Sequence, residues 1–317
     1  MEAFEYAAPN SVKEAVGLLS SNWGEADVLA GGTDLLSLLK EGVHTPKRVV
    51  SLKNVSGLRG VSASRIGATA TIAELLGSSS VPAAVRQAAE GITSPQMRAM
   101  GTVGGELLQR PRCWYFRNGY GLLGKDAKGK SLAPNGENQY HAILGNKGPA
   151  YFVSASSLAP ALIALEATVT VTGPDGEDEM PLEKLFQTPS SDSQRENTLQ
   201  PNQVLTGINL PGGGASSATY EVRQRQLMDW PLASASVALK MSGDTVESAR
   251  VVLGHVAPTP WRSSDAERAL AGKAVSEDTA MAAAKAALSA ATPLSRNKHK
   301  VQLARVAVKR AILQAAG

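Results

Sequence analysis

The sequence predicts an α+β protein built in three parts. Strand-like and helix-like segments alternate through the first two thirds of the 317 residues, which favours sheets covered by helices. The run Pro211-Gly212-Gly213-Gly214 then interrupts the chain, and three strand-like segments followed by three alanine-rich helical segments come after it. We therefore expect subdomains at residues 1–57 and 58–214, and a C-terminal domain at 215–317 with a small antiparallel sheet and a helical bundle.

The first subdomain is expected to begin with a helix and continue as a strand, a helix and a strand. Residues 11–20 carry apolar side chains at helical spacing after Ser11, a candidate N-cap with Glu14 as its capping-box partner. A short apolar run at 28–30 predicts a buried strand, leucines at 35–39 predict a helix, and residues 48–52 predict a second strand. This order favours a small parallel sheet.

A glycine pair separates the first predicted strand from the helix that follows. Gly31 and Gly32 allow backbone amides to approach an anion, and Thr33 and Asp34 can cap a helix whose N-terminus attracts phosphate. The same residues also fit a tight turn with an N-cap and no ligand. A second glycine pair suited to the same ligand would favour phosphate binding.

The second subdomain starts with a threonine-rich segment. Thr69 and Thr71 alternate with alanine, so an extended chain would present both hydroxyls on one face, towards a polar ligand or towards solvent. Helices are predicted from Ile72 and over 81–91, with Pro82 in the first turn of the second.

The second glycine pair lies within residues 96–107. The segment offers amides, a hydroxyl and upstream polar side chains from Gln96, Arg98, Thr102, Gly104 and Gly105. Two such loops in one domain suit a long ligand that carries phosphate. The alternative is a glycine-rich bend between strands of a sheet.

The remainder of the chain divides into an irregular segment and regular elements. Residues 109–149 are rich in Gly, Pro and basic residues and read as an insertion, whose aromatic run at 114–116 is either buried against the body or faces a partner. Further strands are predicted at 150–153, 168–172, 204–210, 219–222, 234–241 and 249–253. Further helices are predicted at 158–165, 264–271, 276–291 and 297–316.

Composition excludes several classes of protein. With 43% hydrophobic and 19% charged residues and no long apolar run, the chain is expected to be soluble, without membrane insertion. Lys plus Arg (32) exceeds Asp plus Glu (28) by only 4, and the basic residues are dispersed, which argues against a nucleic-acid surface. The N-terminus lacks an apolar leader, so a cytoplasmic location is expected, although export with a signal-bearing partner also fits.

Cysteine and histidine usage limits the metal chemistry. The single Cys113 excludes an intrachain disulfide, a cysteine-based zinc site and a four-thiolate iron–sulfur cluster within this chain. The histidines, His44, His141, His255 and His299, are widely separated in sequence. We therefore expect no metal site.

Four segments in order and spacing carry a family resemblance: residues 30–35 (AGGTDL), 67–71 (GATAT), 96–98 (QMR) and 101–105 (GTVGG). They resemble the FAD-binding medium subunit of molybdenum hydroxylases, the xanthine dehydrogenase and carbon monoxide dehydrogenase family. Residues 220–225, 229–234, 256–262 and 297–300 are similar to the C-terminal flavoprotein domain of that family. The resemblance therefore covers nearly the whole chain.

The resemblance implies a fold and a function. The fold is a two-subdomain FAD-binding domain of the PCMH type, followed by a C-terminal domain. The function is electron transfer through FAD, from a small subunit with two [2Fe–2S] clusters to an acceptor such as NAD, oxygen, a quinone or a ferredoxin. Substrate would be oxidised on a molybdopterin-binding large subunit, so no catalytic residue is expected in this chain. The alternatives are an assembly subunit with a degenerate flavin site and a free-standing flavin oxidase.

The resemblance also implies the cofactor contacts. The amides of Gly31, Gly32, Gly104 and Gly105 would hold the pyrophosphate. The full set of implied FAD-binding residues is Leu29, Ala30, Gly31, Gly32, Thr33, Asp34, Leu35, Thr69, Thr71, Gln96, Arg98, Thr102, Gly104, Gly105, Glu106 and Ser157.

Three features depart from the family pattern. The family usually has Asn at the position of Glu106 and Asp at the position of Ser157. A carboxylate at 106 would repel a pyrophosphate unless it is turned away. The insertion is similar to that of a branch including bacterial aldehyde oxidoreductases, in which cysteines hold an extra [4Fe–4S] cluster. Only Cys113 matches those cysteines, so no cluster is expected.

Overall fold

A computed structural model describes residues 1–92, 94–212, 214–225 and 229–317. Its strands, in chain order, are β1 (Glu5–Ala7), β2 (Ala26–Leu29), β3 (Arg48–Ser51), β4 (Arg65–Gly67), β5 (Thr168–Gly173), β6 (Gly176–Pro181), β7 (Val204–Asn209), β8 (Ser216–Val222), β9 (Ala233–Ser242), β10 (Thr245–Gly254) and β11 (Trp261–Arg262). Its α-helices are α1 (Val12–Gly17), α2 (Leu35–Lys40), α3 (Ile72–Gly77), α4 (Ala83–Glu90), α5 (Pro95–Met100), α6 (Val103–Leu107), α7 (Trp114–Arg117), α8 (Leu158–Ala164), α9 (Ser264–Leu270), α10 (Glu277–Ala287) and α11 (His299–Ala316).

The N-terminal sheet is parallel, in the order β1-β3-β2, as the strand–helix–strand pattern predicts. Its small core is formed by Val50 and Leu52 with Ala15 and Val16 of α1. Ser11 caps α1 by accepting from the amide of Glu14. The edge strand β1 is absent from the sequence prediction because its three residues carry no apolar alternation, and Tyr6 in its centre is exposed.

The second sheet is antiparallel, in the order β4-β7-β5-β6. The helices α3, α4 and α8 share its core, and Leu158 and Leu162 of α8 are fully buried there. The acidic strand β6 is another element that the pattern does not predict, since Glu177, Asp178 and Glu179 are all exposed on this sheet edge. An edge strand needs little apolar surface when its partner β5 is buried.

The C-terminal sheet is antiparallel, in the order β11-β10-β9-β8, with Asp244 in the turn between β9 and β10. The helices α9 and α11 pack against it, α10 packs on both of them, and their alanine-rich faces close the third core. The sheet and helices match the fold expected for this part of the chain.

The insertion is irregular apart from α7 and one short 3₁₀ turn, Ala133–Asn135. It has a small core of its own, in which Phe116, Leu122 and Leu123 pack with Phe152 and with Leu38 of α2. The apolar run at 150–153 predicts a strand, but the structure has none there. Burial of Ala150 and Phe152 in this core, rather than pairing in a sheet, accounts for the run.

The chain divisions at residues 57, 214 and 109–149 stay predictions. Gly213, in the run used to place the second boundary, lies outside the described residues. Within the described part of the chain, no helix is both long and apolar enough to cross a membrane.

Candidate functional site

The first glycine segment lies at the base of a cavity of about 190 Å³. Strand β2 ends at Leu29, the chain turns through residues 30–34, and α2 starts at Leu35. Gly32 has φ of +74°, a left-handed conformation that favours glycine. The segment therefore brings five successive residues into the cavity wall, namely Ala30, Gly31, Gly32, Thr33 and Asp34.

The amides of this segment are not used by the protein. Within the described residues, the N–H groups of Gly31, Gly32, Thr33 and Asp34 donate to no backbone or side-chain acceptor. Unpaired amides at the start of a helix are suited to an anion, because they point donors and the positive helix end towards it. That this segment holds the phosphates of a cofactor stays a prediction.

The second glycine segment lies directly against the first. A Cβ atom added at Gly31 would meet the carbonyl oxygen of Met100 at 1.8 Å, and Gly101 is next to it. No side chain fits at this contact. The structure therefore brings together the two glycine segments, as the sequence predicts for two loops around one ligand.

The structure corrects the predicted role of the second glycine pair. The amide of Gly104 donates to the carbonyl of Ala68 at 2.8 Å, and the amide of Gly105 donates to Thr102 Oγ1 at 3.2 Å. These residues form the first turn of α6, which Thr102 caps. A Cβ atom at Gly104 would lie 2.9 Å from the Ala68 carbonyl oxygen. These glycines therefore allow close packing on the second sheet, and their amides are not free for a phosphate.

Asp34 also differs from its predicted role. Its side chain does not cap α2. Instead, Oδ2 accepts from the backbone amide of Arg110 at 2.8 Å, and Oδ1 pairs with Arg117 at 2.8 Å and with Arg112 at 3.1 Å. The carboxylate therefore ties the insertion to the first glycine segment.

The Glu106 carboxylate is held at the N-terminus of α8. Its Oε1 accepts from the Ser157 amide and its Oε2 from Ser156 Oγ, both at 2.6 Å. The two positions that depart from the family pattern, 106 and 157, are therefore in direct contact. Both line a small cavity that Thr33 and Asp34 of the first glycine segment also line.

Burial raises the pKa of Glu106 from 4.5 to about 7, although hydrogen bonds from Ser156, Ser157 and Leu158 oppose the shift. The carboxyl group is 9% exposed and has no cationic partner within 4 Å among the described residues. The free energy that the ionised carboxylate loses by desolvation here is larger than the free energy that it gains from three neutral hydrogen-bond donors.

The other predicted residues divide between the cavity and its surroundings. Leu35, Thr69 and Thr102 line the cavity, and so do Gly104 and Gly105 of the second segment. The remaining predicted residues do not line it. Leu29 is the last residue of β2, and Thr71 caps α3 in a capping box with Glu74. Gln96 is exposed on α5, Arg98 donates to the carbonyls of Glu90 and Ile92, and Ser157 lies at the start of α8. Thr69 and Thr71 thus do not share a strand face.

Sequence reasoning missed a charged part of the cavity wall. Asp27, His44 and Arg110 form a chain in which Arg110 Nη1 lies 2.8 Å from His44 Nε2, and His44 Nδ1 lies 3.0 Å from Asp27 Oδ2. Since arginine only donates, Nε2 accepts and the imidazole carries its proton on Nδ1. Arg110 Nε is also 2.6 Å from Glu196 Oε1, a close ion pair in which the N–H is not aimed at the oxygen.

Arg195 adds a second, mostly buried cation to this wall. Burial lowers its pKa to about 10, so it stays charged at neutral pH, and Asp27 lies 3.7 Å away. Next to it, Asn197 Oδ1 is buried without a hydrogen-bond partner in the described structure. Residue 195 lies between β6 and β7, and no local sequence signal marks it as part of a site.

These residues fit FAD. Unpaired amides and two buried arginines suit a pyrophosphate, and apolar side chains of the same cavity, Val28, Leu52, Leu199 and Val204, suit a ring. The orphaned Asn197 oxygen is an acceptor for a ring or ribose donor.

Comparison with known proteins agrees with this site. Residues 2–213 match the family model described as the FAD binding domain in molybdopterin dehydrogenase. The chain belongs to this family. Residues 218–315 match the CO dehydrogenase flavoprotein C-terminal domain. The resemblance drawn from the glycine segments is thus confirmed, with FAD as the cofactor of the family and oxidoreductase subunit as the class of the chain.

Two curated relatives and one solved structure are similar over almost their full length. The carbon monoxide dehydrogenase medium chain of Hydrogenophaga pseudoflava is 30% identical, over 98% of this chain and 96% of the relative. The aldehyde oxidoreductase FAD-binding subunit PaoB of Escherichia coli is 30% identical, over 96% of each. The structure of carbon monoxide dehydrogenase from H. pseudoflava superposes with a TM-score of 0.76 at 29% identity, over 99% of this chain and 97% of the other.

Proposed function

We propose that the chain is the FAD-binding electron-transfer subunit of a heteromeric molybdenum hydroxylase. Its partners would be a molybdopterin-binding large subunit and a small subunit with two [2Fe–2S] clusters, and no nucleic acid is involved. FAD supplies the redox chemistry, between the [2Fe–2S] subunit and an external acceptor such as NAD, oxygen, a quinone or a ferredoxin. The named activities of the relatives, carbon monoxide and aldehyde oxidation, support this class.

One observation carries the proposal: the first glycine segment presents unpaired amides in a cavity that also holds buried cations. An unpaired amide costs free energy unless water or a ligand accepts from it, and these half-buried amides face a cavity in which the phosphates of FAD would be the acceptors. The amides of Gly31 and Gly32 would hold the pyrophosphate, and Arg195 would balance part of its charge.

The remaining residues of the site position this binding surface. Asp34 fixes the insertion against the first glycine segment, and Gly31 keeps the second segment in contact with it. Glu106 neutralises the start of α8 without facing the amides. None of these groups moves a proton or attacks a substrate, in agreement with a chain that carries electrons for a reaction performed elsewhere.

The test is the flavin content of the complex purified from its own host. We expect about one FAD per chain, released on denaturation, and flavin absorbance that is bleached when the substrate of the complex is added. A complex that oxidises its substrate while this chain is colourless would contradict the proposal.

That negative result would instead identify an assembly subunit. The observation in its favour is that the amides of Gly104 and Gly105 are already bonded within the protein, so that two of the four glycine amides predicted to hold the pyrophosphate are in use.

A cytoplasmic location of the complex stays a prediction.

A further inference from the structure

A second cavity, of about 210 Å³, lies between the insertion and the C-terminal domain. Trp114 and Tyr140 of the insertion line one side, and Trp230 lies on the other. None of its lining residues belongs to the glycine-segment cavity, but a smaller cavity of about 60 Å³ lies between the two, lined by Thr33 and Gly105 of the first and by Arg112 and Trp230 of the second. Trp114 and Tyr140 line only the second cavity.

The walls of this second cavity are aromatic. Trp114 and Tyr140 meet edge to face, with ring centroids 5.6 Å apart, and Trp230 is stacked by the guanidinium of Arg112 at 4.6 Å. Tyr140 and Trp230 are 44% and 38% exposed, so they lie at the mouth. Exposed aromatic walls around a partly enclosed space favour a planar ring as ligand.

A buried polar atom in the same cavity has no partner. His141 is 3% exposed; its Nε2 lies 3.2 Å from Cys113 Sγ, and its Nδ1 makes no hydrogen bond within the described residues. Burial raises the pKa of the Cys113 thiol and lowers that of His141 to about 4, so the pair is a thiol and a neutral imidazole at pH 7. A thiol that donates to Nε2 leaves the ring proton on Nδ1, where it can be donated to a ligand oxygen.

The cavity also contains a buried amine. Lys300 is 1% exposed, and its Nζ donates to the carbonyls of Tyr140, His141 and His255 at 2.8–3.0 Å. No carboxylate lies within 4 Å of it in the part of the chain that the structure describes, and burial lowers the pKa of Lys300 to about 7. Of the acidic groups, Asp229 lines the cavity and pairs with Arg225 at 3.5 Å. The three carbonyls use the N–H groups of the protonated amine, and an anion bound nearby would favour that charged form.

We propose that the second cavity binds a planar aromatic carboxylate. The ring lies between Trp114, Tyr140 and Trp230, and one carboxylate oxygen accepts from His141 Nδ1 within the field of Lys300. This site is independent of FAD and gives the subunit a second small-molecule ligand.

The test is calorimetric titration of the full chain with 2-naphthoate, with and without saturating FAD. We expect binding that FAD leaves unchanged, and little or no binding of 2-naphthylmethylammonium, which has the same ring and the opposite charge. Displacement of 2-naphthoate by FAD would assign the cavity to the flavin and overturn the proposal. Equal binding of the cation, or no binding of the carboxylate at millimolar concentration, would overturn it too.

A matched pair of tyrosine variants locates the ligand. Tyr140→Ala removes a ring at the mouth and is expected to weaken 2-naphthoate binding roughly fivefold. Tyr120→Ala removes a similarly exposed ring of the same insertion, next to Tyr115 and outside the cavity, and should leave binding unchanged. His141→Phe keeps an aromatic ring but removes the donor, and should weaken binding by about fivefold to tenfold. Unchanged binding in Tyr140→Ala would contradict the proposal, whether or not His141→Phe folds.

Discussion

At the first glycine segment, residues 30–34, four amides have no partner among the described residues, whereas at the second, residues 101–105, the amides of Gly104 and Gly105 are both bonded. The first segment precedes α2 and the second begins α6, and both put glycine where a backbone comes close. Both segments line the same cavity, but the second also packs on Ala68, whose carbonyl accepts from the Gly104 amide. Glycine pairs at the start of a helix thus leave amides free in one case and use them for packing in the other.

The largest effect is expected at Asp34, which holds the first segment to the insertion. Asp34→Ala leaves Arg112 and Arg117 without their mostly buried partner and should lower the free energy of unfolding by about 3–5 kcal/mol. Chemical denaturation measures this, and FAD affinity should fall as well because the segment loses its anchor. The control is Glu25→Ala, which breaks the exposed pair with Lys47 and should change stability little. Equal effects of the two variants would contradict the anchoring role.

The next largest effect on stability is expected at Glu106, the residue that follows the second segment. Its pKa is raised by burial from 4.5 to about 7, so between these pH values the native state binds more protons than the unfolded state. The free energy of unfolding therefore falls as pH rises through this window, by up to about 3 kcal/mol, and levels off above pH 7. Glu106→Gln should abolish this slope in denaturation curves between pH 4.5 and 8.

Glu90→Gln, at an exposed position of α4, is the control and should keep the wild-type profile. If Glu106→Gln also keeps that slope, the carboxylate is not the group responsible. FAD affinity should change little in Glu106→Gln, because the side chain is directed at α8 rather than at the first segment.

A third variant, Gly31→Ala, tests the close contact between the two glycine segments. The added methyl group in Gly31→Ala would lie 1.8 Å from the carbonyl oxygen of Met100, so the loops must move apart. Overpacking of this kind costs roughly 1–3 kcal/mol, and a comparable loss in FAD binding is about a 10- to 100-fold rise in Kd. Equilibrium titration of flavin-depleted protein measures it. Gly17→Ala, with no atom within 4 Å of the added Cβ, should bind FAD as the wild type does.

Local sequence patterns predict much of the secondary structure, because helices and strands are determined largely by residues that are close together in sequence. The parallel strands around α2 and the helices α9 to α11 follow from apolar spacing and capping residues. The environment of the second glycine segment does not, since Ala68 lies 36 residues before Gly104 and Ser157 lies 51 residues after Glu106. The same holds for Arg195, which joins the cavity only through contacts with Asp27 and Trp23, more than 160 residues away in sequence.

The smallest effects, and the most discriminating, come from two threonines, one in each glycine segment. Thr102 Oγ1 accepts from Gly105 and caps α6, whereas the Thr33 hydroxyl makes no hydrogen bond within the described residues. Thr102→Ala should therefore cost about 1 kcal/mol of stability and leave FAD affinity nearly unchanged, because it removes a cap and frees an amide. Thr33→Ala should leave stability unchanged and weaken FAD binding about fivefold, by the loss of one hydrogen bond to the ligand. Thermal unfolding and FAD titration of both variants measure the two quantities, and Thr102→Ser should restore the cap. If Thr102→Ala instead weakens FAD binding at unchanged stability, its hydroxyl contacts the ligand, and the contrast between the two glycine segments is removed at that position.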